Sequence, residues 1–189
     1  LFIEIGENKE LFLAGEDEEH DGHQHSDLDP HIWLDPLKMI EVAEIITRKI
    51  SELDPNNQEI YENNFVQLSK KLRELDEQFV ATIDKKEKKK LLVSHAAYGY
   101  WEERYGIEQI PISGLSSTDE PSQKEENIQY VIFEQTGSNR LAEVIRESIG
   151  AEKRYIHNLE VLTEEDIDNG EDYFSIMEQN VETLDEALK

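Results

Sequence analysis

Six apolar residues, Tyr61, Phe65, Leu68, Leu72, Leu75 and Phe79, recur at alternating steps of four and three. That spacing sets them along one face of a single α-helix. With its flanking polar residues the pattern covers about 30 residues, roughly 45 Å at 1.5 Å per residue, long enough to cross a whole domain. The stripe fits a packed strut and a coiled-coil seam equally well. A chain of 189 residues has room for one domain or two small ones around such a rod.

Upstream, Leu37, Ile40, Ala43, Ile46, Ile50 and Leu53 form a second helical stripe. Asp35-Pro36 reads as an N-cap followed by proline at the first helical position, and Asp54-Pro55 stops this helix and caps the next. Residues 1–15, broken by Gly6 and Gly15, read as one or two short strands or a helix end. The run Lys85 to Lys90 lies at the end of the long helix, where it complements the helix dipole. From Leu91 the pattern changes. Strands are expected at 91–94, 109–112, 130–133 and 154–156, and helices at 98–105, 139–149 and 172–188, with a further helix start at Glu120-Pro121. This alternation predicts an α/β domain, a parallel sheet covered by helices, beginning near Lys90.

Acidic residues outnumber basic ones 44 to 19, for a net charge of -25. Such a field argues against nucleic acid or an anionic membrane surface as partner and suits a cationic ligand. The plainer reading is that the acidity keeps a secreted protein soluble. With no cysteine, disulfides, thiolate metal sites and a cysteine nucleophile are excluded. No apolar run approaches the length of a membrane-spanning helix, and no signal-peptide pattern is present. The chain opens on Leu1 to Ile5 without an initiating methionine, as expected of a truncated or processed product.

The densest chemistry lies between Asp27 and Pro36, where Asp29-Pro30 and Asp35-Pro36 bracket His31 with two stiff points. Just before it, His20, His23 and His25 stand in an acidic stretch without periodicity. That stretch reads either as a solvated connector or as a weak metal-capturing loop, since imidazole is a common transition-metal ligand. Further on, His95 follows a strand, Glu134 follows another, and His157 and Glu160 follow the last. Ligands of open parallel sheets bind beyond the carboxyl ends of the strands. A single histidine in such a place is commonly a hydrogen-bonded structural residue; several on one rim point to a site. Neither a zinc-protease His-Glu-x-x-His pair, nor a Gly-x-Ser-x-Gly elbow, nor a P-loop occurs, so no enzyme activity is expected.

The chain resembles the zinc- and manganese-binding solute receptors of bacterial ABC transporters, and within them the zinc lipoproteins of the AdcA/ZnuA type. The likeness rests on Asp29-Pro-His-Ile-Trp-Leu-Asp-Pro36, Ser94-His-Ala-Ala-Tyr-Gly-Tyr-Trp101, Arg104-Tyr-Gly-Ile107, Gly114-Leu-Ser-Ser-Thr-Asp-Glu-Pro-Ser122, Asn158-Leu-Glu-Val-Leu-Thr163 and Tyr173-Phe-Ser-Ile-Met-Glu-Gln-Asn180, in the family's order. It implies two α/β lobes joined by one long helix: residues 1–53 the end of the first lobe, 54–89 the linking helix, and 90–189 the second lobe. It also implies His31, His95 and Glu160 as metal ligands, with His20, His23 and His25 a secondary low-affinity set, and His157 and Glu134 as alternates. The implied cargo is Zn2+, with Mn2+ the alternative. The expected partner is an ABC permease, and the expected place is the outer face of the cell membrane, through a lipid anchor, or the periplasm. The receptor would act as a monomer. A surface adhesin is the runner-up from another class.

Three departures stand out. Against the family pattern the sequence is expected to lack the opening part of the first lobe, and with it the anchor cysteine, the signal peptide and one further histidine ligand. Gln123 to Asn127 is short for the helix that the family has there, and Thr136-Gly137-Ser138 fits loosely. The donor set agrees with the resemblance, because imidazole and carboxylate suit tetrahedral zinc, whereas manganese prefers oxygen.

Overall fold

The computed structural model describes residues 2–15, 28–112, 128–135 and 140–188. His20, His23 and His25, the Glu120-Pro121 helix start, the short segment 123–127 and Thr136-Gly137-Ser138 lie outside these residues. The chain divides into two compact units, Leu1–Glu77 and Gln78–Lys189. Among the described residues no helix is long and apolar enough to cross a membrane.

In the first unit the expected strands of residues 1–15 are replaced by 3-10 turns at Ile5–Glu7 and Lys9–Leu11. The Asn8 side chain donates to the Ile5 carbonyl at 3.1 Å, a local bond that favours a turn over a ladder. Among the described residues of this unit, strand-like pairing is limited to an isolated antiparallel bridge between Ala14 and Leu28. Helix α1, Pro36–Leu53, begins where the Asp-Pro pair predicts, with Asp35 accepting from the Leu37 and Lys38 amides at 2.7 and 3.2 Å. It packs on the 3-10 turn Ile32–Leu34. Ile40 and Val42 are buried, while Leu53 of the expected stripe is 62% exposed. The buried residues of α1 lie in its first half. Replacing Asp35 by alanine is expected to cost about 1 kcal/mol, up to about 2, in urea unfolding, by removing the cap that starts α1.

Helix α2, Gln58–Ile83, is the long rod of the sequence and runs from the first unit into the second. Its stripe is fully buried only at Leu72, Leu75 and Phe79, and Leu68 is partly exposed. The lysine run begins just past the helix end, where Lys86 pairs with Asp185 at 2.6 Å and Lys90 with Glu108 at 3.4 Å.

The second unit carries strands β1 (Lys90–Val93), β2 (Glu108–Pro111), β3 (Tyr130–Glu134) and β4 (Glu152–Ile156), all parallel, in the order β2-β1-β3-β4. Among the described residues it also carries helices α3 (Gly99–Tyr105), α4 (Arg140–Ile149), α5 (Glu164–Asn169) and α6 (Tyr173–Ala187). Gly106, at φ 70°, supplies the left-handed residue that ends α3. Helix α4 packs on β3 and α6 on β4. The two central strands read as apolar runs, buried at Leu91, Leu92 and Val93 of β1 and at Val131, Ile132 and Phe133 of β3, whereas the edge strands β2 and β4 are more polar. Leu92, Val131 and Phe133 meet Ala142 and Ile145 of α4 in one core cluster. Phe79 stacks on Tyr105 at 5.1 Å between ring centroids and lies 5.5 Å from Trp101, fixing the end of α2 to α3.

Candidate metal centre

In the first unit, His31 follows the rigid Asp29-Pro30 step and is 8% exposed. Its Nδ1 lies 2.7 Å from Asp29 Oδ1, and the same oxygen accepts the His31 backbone N–H at 2.9 Å. The carboxylate can only accept, so Nδ1 carries the proton and Nε2 is the lone-pair nitrogen. Trp33 meets the imidazole edge-on at 5.6 Å. Metal-ligating histidines are oriented in this way, with the second ring nitrogen held by a carboxylate.

In the second unit the connection from β1 leads to β2 on one side, and β3 lies on the other. This change of direction opens the crevice where doubly wound sheets bind ligands, beyond the carboxyl ends of β1 and β3. His95 stands there, two residues past β1, and Glu134 is the last residue of β3. His95 Nδ1 lies 2.8 Å from Glu134 Oε1, which repeats the arrangement at His31 and again makes Nε2 the lone-pair nitrogen. The His95 side chain is 45% exposed and Glu134 is 17% exposed.

Past β4 the chain makes a tight turn that delivers Glu160. Leu159, at φ 61°, is the one non-glycine residue with positive φ among the described residues, and the left-handed region is unfavourable for a branched side chain. Two bonds hold the turn: the Leu159 amide donates to His157 Nδ1 at 2.8 Å, and the Glu160 amide donates to Asn158 Oδ1 at 3.1 Å. His157 is buried, with Nε2 3.2 Å from Asp166 Oδ2. Asp166 is held well below the usual carboxylate range, first by the Thr163 hydroxyl, then by the Thr163 amide, with His157 adding to the effect. Asn180 grips the His157 backbone on both sides, accepting its N–H and donating to its carbonyl, each at 2.9 Å. Beneath this rim Tyr98 is buried, and its hydroxyl has no hydrogen bond among the described residues. Burial, with the nearby Glu134 and Glu160 charges adding to it, pushes its ionisation far above the usual range.

The sheet therefore places His95, Glu134, His157 and Glu160 on one rim, as the strand-end positions predict. Among the described residues no three His, Asp or Glu side chains are grouped so as to hold a metal ion by themselves. The sequence reading missed Asp29 as the group that orients His31, and it took Glu134 for an alternate ligand where the structure pairs it with His95. An Asp two residues before a His was the available signal for the first; for the second there was none, because the strand register creates it.

Residues 3–187 match the family described as ZnuA, the zinc-uptake complex component A, periplasmic. A "High-affinity zinc uptake system protein ZnuA" of Bacillus subtilis is 35% identical over 100% of this chain, which spans 64% of that relative's length. The crystal structure of the metal-dependent lipoprotein YcdH from Bacillus subtilis is similar with a TM-score of 0.78 and 34% identity, over 90% of this chain and 68% of that one. The Zn(II)-bound ZnuA-like domain of Streptococcus pneumoniae AdcA gives a TM-score of 0.74 at 30% identity, with the same coverage of both chains.

Proposed function

The chain belongs to the ZnuA family of zinc-uptake component A proteins, and on that premise we propose that it is a receptor that captures Zn2+ outside the cell and hands it to an ABC permease. The observation that carries this reading is the shared mounting of His31 and His95, each held through Nδ1 by a carboxylate. In this reading His31, His95 and Glu160 ligate the ion. Asp29 and Glu134 orient the two imidazoles. The site binds and releases; it activates no water, and no residue acts as a catalyst. The acidic surface concentrates cations around the receptor, and His20, His23 and His25 add weak capture. Lipid anchoring to the outer face of the membrane, or residence in the periplasm, and action as a monomer complete the proposal.

The test is growth under zinc limitation. A strain lacking the receptor gene should regain growth when supplied with the wild-type gene and should fail with His95→Ala, with added zinc restoring it. Normal growth of the His95→Ala strain at the same protein level would refute the uptake role.

A further inference from the structure

His157 is a buried titratable group that the proposed zinc site does not use, and both of its ring nitrogens are engaged inside the second unit. Asp166, kept ionised by Thr163, accepts from Nε2, so Nε2 bears the proton. Nδ1 is then a lone-pair acceptor, and it takes the Leu159 amide at 2.8 Å. To bind a metal through either nitrogen, His157 would have to give up one of these bonds. Meanwhile the Asn180 clamp fixes the His157 backbone from α6, so the imidazole is held at both ends. What this frame supports is the left-handed Leu159, a conformation unfavourable for a residue with a Cβ. The next residue is Glu160.

We infer that His157 is a positioning residue for the Glu160 carboxylate: its Nδ1, aimed by Asp166 and Asn180, holds Leu159 in the left-handed turn that presents Glu160 at the rim. The inference rests on the reading of Glu160 as a zinc ligand. Its chemistry also says which replacement should work. Asparagine places Oδ1 close to where Nδ1 stands and can accept the same amide, whereas leucine has a similar volume and no acceptor.

The experiment is a zinc titration at neutral pH, by competition with a chromophoric chelator, of the receptor expressed from its full coding sequence. The forms compared are wild type, Glu160→Gln, His157→Leu, His157→Asn and the double variant of Glu160→Gln with His157→Leu. Glu160→Gln and His157→Leu should each weaken zinc binding by about 10- to 100-fold, as loss of supporting groups around a metal does. The double variant should bind no more weakly than Glu160→Gln alone, and His157→Asn should match wild type, both within about twofold. Wild-type affinity in Glu160→Gln would overturn the ligand reading and this inference together. Weakened Glu160→Gln with wild-type affinity in His157→Leu would overturn the positioning role alone, and so would additive losses. Should His157→Leu fail to fold, nitrogen NMR of the wild-type histidines decides. The His157 Nε2–H tautomer should persist on zinc loading, and its loss would make His157 a ligand and overturn the inference.

Discussion

Calorimetric titration of the receptor with zinc, expressed from its full coding sequence, is expected to lose its tightest step when either His31 or His95 is replaced by alanine. It should keep that step when His20, His23 and His25 are replaced together. Zinc sites of four protein ligands have apparent binding energies of roughly 10–16 kcal/mol, so one ligand is worth about 3 kcal/mol, a loss of over 100-fold. The loss should be larger than the ligand count alone implies. Each of these imidazoles has been set in one tautomer by a carboxylate, Asp29 at 2.7 Å and Glu134 at 2.8 Å, and such preorganisation is lost with the ring. The loop histidines lack the two Asp-Pro steps that bracket His31 in the sequence. They add capacity at high zinc and leave the tight step alone. Retention of the tight step in both single variants would sink the assignment.

The second large effect concerns folding. Trp101 is completely buried, lies 4.9 Å from Tyr98 and 5.5 Å from Phe79, and is the largest of the fully buried side chains. Trp101→Ala should therefore lower the unfolding free energy by about 3–5 kcal/mol, through lost burial and the cavity left behind. That is a large part of the roughly 5–15 kcal/mol that a folded domain has in total. Urea unfolding followed by circular dichroism measures it, and a loss below about 1 kcal/mol would show that the aromatic cluster does not hold α3 in place. The consequence reaches the site, because α3 follows His95 directly and carries the segment that returns the chain to β2.

Much of this was legible before any coordinates. The Asp35-Pro36 start of α1, the long α2, the parallel sheet and the placing of His95, Glu134, His157 and Glu160 at strand ends all follow from local rules on capping, period and strand-end chemistry. What escaped depends on residues distant in sequence or on patterns too short to show a period. Glu134 meets His95 only because β1 and β3 are neighbours, with Val93 opposite Ile132. Asn180 reaches His157 from a helix 23 residues on. Helix α5 has six residues, too few for an apolar stripe, although Thr163 and Asp166 form a capping box that announces it. The first 3-10 turn near the start escaped because Asn8 closes it with its side chain, which alternation of apolar residues does not reveal. Burial along α1 differed for a similar reason: an apolar stripe does not show which half of an amphipathic helix finds a neighbour, and here the buried residues lie in the first half.

The most direct measurement of the central claim is a zinc-edge anomalous difference map from crystals of the zinc-loaded receptor. The account predicts one strong peak coordinated by His31 Nε2, His95 Nε2 and a Glu160 oxygen, at about 2.0–2.2 Å, with Asp29 and Glu134 still on the two Nδ1 atoms. A strong peak held by His20, His23 and His25, with none at His31 and His95, would contradict it.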